Sequence, residues 1–496
     1  MLLTSIPISA HDFKVDGIWY KISSSRNKTV KVTYDFDIFS YGQAVGPDEW
    51  IVYEQKYEIP YTGEIIIPSS VSHNGTTYSV TEIEDSVLLC PTTIKIGDNI
   101  TSIKSGLFSG CTCLTSISIG NSITSISEGL FYGCTGLTSI SMPNSVTSIG
   151  SDAFYGCTGL TSITIPNSVA SIGSSAFYGC TGLTSISMPN SVTSIEKNTF
   201  NGCTNLASIT IPNSVTEICD YAFSGCNNLA SITIPNSITK IGDYTFQACK
   251  KLKSIIFEDG TKLLSIGSQF NYGEKISLFY NCPIDSLYLG RNYTASCPPF
   301  KDKKTLTAIS VGKSVTSIRA DAFNNTGWYN NQPNGILYLD NCCLGNKNNV
   351  RTRNITLDDG TRLVADESFL NHSTLTSVTI PNSVENIGNK AFANCGLRLV
   401  TLHCMIPPTC TDGAFDGCYS ALLMIPEGTM MDYAIADEWY KFAKVQEIAG
   451  VEEVEVNIDA VEVARYDIYG RLLSEPTKGI NIVKYSDGTT RKECVN

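Results

Sequence analysis

Residues that could carry catalysis are few in this chain, and their spacing does not assemble a recognisable active site. The histidines are His11, His73, His372 and His403. They lie far apart, none belongs to an H-E-x-x-H metal-binding helix, and no G-x-S-x-G nucleophile elbow is present. The stretch VGKS at 311–314 imitates the end of a phosphate-binding loop, but Thr307 stands where that loop needs its first glycine. The sequence therefore predicts a protein that is not an enzyme.

The composition excludes further classes of function. With a net charge of −12, the sequence shows no basic footprint for nucleic acid or an anionic membrane. No apolar run approaches the ~20 residues of a membrane-spanning helix. Any two of the 47 acidic residues could form a glycosidase pair, but no pair stands out. The spacing of His403, Cys404, Cys410 and Cys418 is weak for a zinc site. We predict no catalytic, cofactor or metal site and no nucleic-acid partner.

A 23-residue repeat dominates the chain. Four apolar columns keep this period through seven consecutive copies: Phe108 to Phe246, Cys111 to Cys249, Leu114 to Leu252 and Ile117 to Ile255. Such columns arise when each repeat forms one coil and equivalent side chains stack in a shared core. The repeat therefore predicts a solenoid, because one coil cannot bury its apolar side alone.

The pattern within one copy predicts short strands joined by turns. Leu160–Ile165 (LTSITI) alternates apolar and polar residues, which is typical of a strand with one buried face. Pro166 and Asn167 then favour a turn, and Ser168–Ile172 (SVASI) predicts a second short extended stretch. Ser174–Cys180 (SSAFYGC) predicts a brief helical or 3₁₀ turn that points its alanine, phenylalanine and cysteine inward. The fold class is a mainly β solenoid of 23-residue coils.

Most of the cysteines belong to the repeat. A cysteine at one fixed place per coil behaves as a small core hydrophobe, so the column predicts buried, reduced thiols. Cys282, Cys297 and the Cys342–Cys343 pair lie in stretches that depart from the repeat, and they are the better disulfide candidates.

The repeat is interrupted and flanked by other segments. Asp437–Ile448 (DEWYKFAKVQEI) predicts an amphipathic helix followed by a short strand. The predicted organisation is a candidate secretion-signal remnant at 1–10, a β-rich N-terminal cap at 11–78, repeats at 79–426 with insertions near 259–300 and 328–373, a C-terminal cap at 427–449 and a small C-terminal β domain at 450–496.

The pattern LTSITIPNSVASIGSSAFYGC (Leu160–Cys180) resembles the BspA-type, or treponemal-type, leucine-rich repeat. The resemblance covers roughly residues 79–426 and implies a leucine-rich-repeat solenoid in a secreted or cell-surface bacterial protein. The tail Ala464–Asn496 is similar to small C-terminal β domains of secreted bacterial proteins, some of which are sorting signals for export.

Two sets of residues are candidates for binding. Strand positions that alternate with the buried isoleucines predict two exposed, hydroxyl-rich rows: Ser116, Ser139, Ser162, Ser185, Ser208 and Ser231, and Ser118, Ser141, Thr164, Ser187, Thr210 and Thr233. Tandem duplication of a solvated strand would also produce these rows. The insertions carry four aromatic candidates: Tyr272, Tyr280, Trp328 and Tyr329.

The resemblance and the missing catalytic motifs favour an adhesin-like binding protein. Its partners would be a host extracellular-matrix or mucosal protein or glycan, or another bacterial surface. The alternative is a structural spacer that binds nothing and projects another surface component. An ice- or crystal-face binder and an enzyme with a site in the insertions are less favoured, and the sequence leaves the ligand and the oligomeric state open.

Overall fold

The structure is a computed structural model that describes residues 12–33, 44–46, 49–50, 62–84, 90–271, 274–448, 462–467, 470–486 and 490–495. The chain forms two compact units. The first comprises Met1–Ile256, Leu264–Ile284 and Tyr293–Pro299, and the second comprises Phe257–Leu263, Asp285–Asn292 and Phe300–Asn496. The fold is a mainly β solenoid of about 15 turns with repeats of roughly 23 residues, as the period predicts.

Strands that pair in both antiparallel and parallel fashion precede the coils in the first unit. The strands are β1 (Phe13–Val15), β2 (Ile18–Ser24), β3 (Thr29–Thr33), β4 (Ala44–Gly46), β5 (Glu49–Trp50), β6 (Thr62–Ile67), β7 (Ser70–His73), β8 (Thr76–Ile83) and β9 (Cys90–Ile96). One sheet has the order β1-β2-β3-β8-β7, and β6 and β9 begin the parallel ladder of the coils.

The coils that follow contribute short strands, most of them paired in parallel. These strands are β10 (Ser116–Ser118), β11 (Ser125–Ile126), β12 (Ser139–Ser141), β13 (Ser148–Ile149), β14 (Ser171–Ile172), β15 (Ser185–Ser187), β16 (Ser194–Ile195), β17 (Ser208–Thr210), β18 (Glu217–Ile218), β19 (Ser231–Ile234), β20 (Lys240–Ile241), β21 (Ser254–Phe257), β22 (Leu264–Ile266), β23 (Ser268–Asn271) and β24 (Glu274–Ser277). The first ladder has the order β12-β10-β9-β6, and a second ladder includes β16-β18-β20-β22. The hairpin β23–β24 departs from this pattern.

Further strands follow along the chain. They are β25 (Ser286–Leu289), β26 (Tyr293–Ala295), β27 (Ala308–Val311), β28 (Gly335–Leu339), β29 (Cys342–Lys347), β30 (Asn354–Thr356), β31 (Leu363–Val364), β32 (Ser377–Ile380), β33 (Asn386–Ile387), β34 (Leu399–Leu402), β35 (Thr409–Cys410), β36 (Leu422–Pro426) and β37 (Lys444–Ile448). In the second unit, helix α1 (Gly327–Asn331) precedes the hairpin β28–β29, and β29 continues into the parallel order β29-β31-β33-β35.

The C-terminal segments differ in part from the sequence-based expectation. The strand predicted near Ile448 is β37, but the predicted helix is wrong: Trp439–Lys441 forms only a 3₁₀ turn, and helix α2 lies earlier, at Met430–Ile435. Strands β38 (Glu462–Tyr466), β39 (Leu472–Leu473), β40 (Gly479–Tyr485) and β41 (Thr490–Val495) follow. Strand β41 pairs antiparallel with β37, so the tail extends the sheet of the last coil.

The core is a stack of identical side chains. Phe154, Phe177 and Phe200 are fully buried, and their ring centroids lie 5.3 Å and 5.6 Å apart along the stack. Parallel strands bring equivalent residues opposite each other, so the 23-residue period becomes a column of rings. The segment around Phe177 forms hydrogen-bonded turns rather than a helix, and it ends at Gly179, whose φ of +67° favours glycine.

The cysteine column also links successive coils. The Cys157 thiol donates a hydrogen bond to the Phe131 carbonyl at 3.1 Å, 26 residues earlier in the chain. The Phe131 carbonyl already accepts the Cys134 N–H, so the thiol occupies its second lone pair. The same contact recurs in both units. A weak S–H donor therefore hydrogen-bonds a backbone acceptor that is closed to water.

In the described residues the column thiols are buried and form no disulfide, as the repeat predicts. The disulfide candidates Cys282, Cys297, Cys342 and Cys343 form no disulfide in the described part of the chain. Cys113 is disulfide-bonded. It lies two residues after a column position, where spacing alone does not single it out.

We expect Ala248→Gly to stabilise the protein by about 0.5–1 kcal/mol, because Ala248 occupies the glycine column with a φ of +59°. Gly179→Ala should cost about 1 kcal/mol for the same reason. Its added Cβ would lie 3.8 Å from the Gly156 Cα, so no clash contributes. Urea unfolding followed by circular dichroism measures both changes, and an unchanged midpoint for Ala248→Gly would contradict the assignment.

We also expect stability to fall above about pH 9. Burial raises the pKa of the Cys111 thiol to about 11 and that of Cys203 to about 12, from an ordinary 9.0. Above the unfolded-state pKa the unfolded chain binds fewer protons than the native one, so each such thiol lowers the free energy of unfolding by about 1.4 kcal/mol per pH unit. The contribution is complete below pH 9 and is lost as the pH approaches the folded-state value.

The measurement is the free energy of unfolding between pH 7 and 11 for the native chain, Cys203→Ser and, as an exposed control, Ser187→Ala. Cys203→Ser should show a shallower alkaline slope, whereas Ser187→Ala should keep the native slope. Equal slopes for all three proteins would rule out the thiol contribution.

Candidate functional site

The two predicted Ser/Thr rows lie on the solvent side of strands β10, β12, β15, β17 and β19 and of the stretch between β12 and β15. Eleven of the twelve side chains are exposed, and Ser116 is half-buried. The parallel register places equivalent residues opposite one another: Ser116 and Ser139, Ser118 and Ser141, Ser185 and Ser208, and Ser187 and Thr210. The rows are thus brought together as the alternation predicts.

The rows are interrupted at one coil. Ser162 lies outside any strand, and Thr164 forms only an isolated bridge with Ser187. The strand predicted over Leu160–Ile165 is therefore wrong in this coil. A cavity of about 390 Å³, lined in part by Ile163, marks the break. The hydroxyl surface consequently has one stretch before the break and a longer one after it.

Neighbouring hydroxyl columns are used differently from the rows. Ser168 Oγ donates to the Val146 carbonyl at 2.6 Å, and Thr138 Oγ1 donates to the Thr115 carbonyl at 3.0 Å. Equivalent residues repeat these bonds between coils. In the described part of the chain, the twelve row hydroxyls have no hydrogen-bond partner from the protein. They remain available to water or a ligand.

A short aromatic stack lies on the turn side of the same coils. Tyr132, Tyr155 and Tyr178 stack with ring centroids 4.5 Å apart and interplanar angles of 7° and 3°. Tyr132, at one end, is 43% exposed. Burial, followed by the neighbouring phenols, raises the pKa of Tyr155. These rings mainly contact one another, and the exposed ring at the end can still contact a partner.

The aromatic residues of the insertions occupy different environments. Tyr272 lies outside the described residues, and Tyr280 is 50% exposed. Trp328 and Tyr329 are half-buried in α1, where Trp328 packs edge-on against Phe323 at 6.3 Å. The structure does not gather these candidates into one surface.

Tyr329 contributes to a cleft that sequence reasoning missed. The cleft has a volume of about 410 Å³ and is lined by residues including Arg319, Lys347, Glu367 and Ser368. These residues lie up to 49 positions apart in the sequence. The departure from the repeat was the only signal that pointed to this region.

Other chemical candidates have structural explanations or lack the required grouping. The VGKS stretch begins at Val311, the last residue of strand β27, and continues into a turn of the coil. The Val311 N–H donates to the Asp340 carboxylate at 2.7 Å. In the described ranges, no group of three or more His, Cys, Asp or Glu side chains could hold a metal ion. None of the described helices is long and apolar enough to cross a membrane.

The repeat model that matches the chain is the BspA type leucine rich repeat region, over residues 90–192, 170–297 and 298–422. The chain belongs to the BspA-type leucine-rich-repeat family. The match includes the Phe and Cys columns of the core. No curated protein matches the chain.

Solved structures of bacterial leucine-rich-repeat proteins are similar to this family member. One from Bacteroides ovatus is 23% identical, with a TM-score of 0.43 over 88% of this chain and 100% of that chain. A leucine-rich cell surface protein from Faecalibacterium prausnitzii is 21% identical, with a TM-score of 0.34 over 88% and 99% of the two chains. The leucine-rich-repeat protein of T. pallidum is 25% identical, with a TM-score of 0.32 over 49% and 90%.

Proposed function

We propose that this family member is a secreted or cell-surface binding protein with an adhesin-like role. The proposed partners are host extracellular-matrix or mucosal proteins or glycans, or another bacterial surface. The observation that carries the proposal is the set of twelve row hydroxyls, which are ordered by the strand ladder but have no partner within the described chain. Family membership supports the same role.

The rows offer a partner repetition rather than charge. Adjacent coils lie about 4.7–4.9 Å apart in a strand ladder, so the rows present hydroxyl groups at a regular spacing. Each hydroxyl both donates and accepts hydrogen bonds. Weak contacts along one ligand act together when the partner spans several coils. A long polymer, such as a matrix protein or a mucosal glycan, suits such a surface better than a compact ligand.

A spacer is the second candidate, and one observation favours it. The rows contain only serine and threonine, so they offer little side-chain variety for recognising a particular ligand. A spacer would project another surface component and bind nothing itself. The two functions differ in whether the exposed rows contribute to any measurable affinity.

The test is a solid-phase screen of the purified chain against fibronectin, fibrinogen, laminin, mucin and a glycan array. Deleting the insertions would remove ladder strands such as β22 and β31, so point variants are preferable. The variant Ser139→Lys with Ser208→Lys places a bulky cation in each stretch of the row. We expect it to lose about tenfold or more in affinity, because the added side chains prevent close approach.

A matched control carries Thr112→Lys and Thr158→Lys, which add the same charge at exposed positions outside the rows. Native affinity in the control together with loss in the row variant supports the proposal. Equal loss in both proteins would indicate a general charge effect. No saturable binding to any partner would favour the spacer.

A further inference from the structure

The second unit contains a cleft, here called the Tyr329 cleft. Its lining includes Arg319, Asp321, Tyr329, Lys347, Glu367 and Ser368. Helix α1, the hairpin β28–β29 and the turns at Asp321 and Glu367 form its walls. The volume of about 410 Å³ lies within the ~300–1,000 Å³ range of small-molecule sites. The Ser/Thr rows, in contrast, lie mostly at exposed strand positions.

Ser368 provides an independent indication of a ligand. The residue is 8% exposed, and within the described part of the chain its Oγ has no hydrogen-bond partner. Thr245 occupies the equivalent place in another coil, and its hydroxyl donates to the Gly242 carbonyl at 2.7 Å. A buried hydroxyl without a partner is costly. A turn carbonyl can therefore accept from a hydroxyl at this position of the repeat, but the Ser368 hydroxyl does not make that bond.

The hairpin explains why this coil differs from the others. Gly345 of β29 lies so close to Ser368 that a Cβ at Gly345 would come within 2.1 Å of the Ser368 carbonyl oxygen. Lys347 is buried on the same strand, and its ammonium donates to the Tyr329 carbonyl at 2.7 Å and lies 4.8 Å from the Tyr329 ring centroid. Lys347 thus holds helix α1 against the hairpin and positions Tyr329.

The charges of the cleft are balanced. Arg319 Nε lies 2.9 Å from Asp321 Oδ1, and its Nη2 lies 3.2 Å from Glu367 Oε2. Arg319 and Lys347 carry two positive charges, and Asp321 and Glu367 carry two negative charges. A phosphate would meet both carboxylates, and a divalent cation would compete with the Arg319 guanidinium. The balance favours a neutral ligand with many hydroxyl groups.

We propose that the Tyr329 cleft binds a neutral mono- or disaccharide, such as a unit of a glycan chain. Sugar rings combine an apolar C–H face, which packs on an aromatic side chain, with hydroxyls that both donate and accept. The carboxylates of Asp321 and Glu367 accept from those hydroxyls, and the Arg319 guanidinium donates. The Ser368 hydroxyl, which is closed to water without a ligand, gains its missing partner by turning toward the sugar. This inference rests on the proposed binding function and names a ligand class and place for it.

The experiment uses the full chain and saturation-transfer NMR with isothermal titration. The probes are galactose, glucose, N-acetylglucosamine, N-acetylgalactosamine, lactose and N,N′-diacetylchitobiose, with N-acetylneuraminic acid as an anionic comparator. We expect saturable binding of at least one neutral probe and weaker binding of the acid. Glu367→Gln and Ser368→Ala should each weaken that binding about tenfold or more.

Controls separate recognition from folding. Glu385→Gln changes an exposed carboxylate of the same unit outside the cleft lining and should bind as the native chain does. Ser368→Ala should keep or raise the urea midpoint because it removes an unpartnered hydroxyl, whereas Thr245→Ala should lower it. Failure of every neutral probe to bind, tighter binding of the acid, or native affinity in both cleft variants would overturn the proposal.

The result is distinguishable from that of the solid-phase screen. Binding of matrix proteins or mucin by a chain that binds no saccharide would leave the proposed function standing and reject the cleft assignment. Saccharide binding lost in Glu367→Gln, with no macromolecular partner in the screen, would support the cleft and reject the adhesin-like role.

Discussion

Hydrogen bonding from each coil to the next is the constraint on which this structure depends. The Phe154 N–H donates to the Ala176 carbonyl at 2.8 Å, and the Gly156 N–H donates to the Tyr178 carbonyl at 2.7 Å. A coil whose neighbour is absent leaves such groups unpaired, which is costly once they are buried. Side chains supplement the backbone, since column thiols and Ser/Thr hydroxyls donate to carbonyls one coil away. Stability in this architecture is a property of neighbouring coils rather than of a single one.

This constraint divides the polar residues of a coil into two classes. The hydroxyls of residues such as Ser168 and Thr138 donate to carbonyls of the preceding coil, so we expect their removal to lower stability. Residues such as Ser187 and Thr210 stand opposite one another across the ladder, but their hydroxyls bond to no protein group in the described chain. Duplication alone accounts for the repetition of both classes. Only the second class is free to meet a partner, which is why the rows carry the proposed function.

Departures from the repeat add structure without ending the ladder. In the first unit, β22 pairs with β20 before the hairpin β23–β24 leaves the coil. In the second unit, β29 belongs both to the hairpin with β28 and to the ladder with β31. A coil can therefore carry a local addition while its strands still satisfy their neighbours. The Tyr329 cleft lies at such an addition, where side chains are released from the repeat pattern.

The sequence by itself determined the period, the Phe and Cys columns and the solvent-facing rows, because stacking forces one residue type into each equivalent place. Tertiary structure alone decided the break at Leu160–Ile165, since the letters of that coil are nearly those of its neighbours. It also decided the cleft: Arg319 and Glu367 are 48 positions apart, and only the folding of the intervening hairpin brings their charges to 3.2 Å. Local spacing specifies a coil, whereas contacts across an irregular insertion depend on how its chain closes.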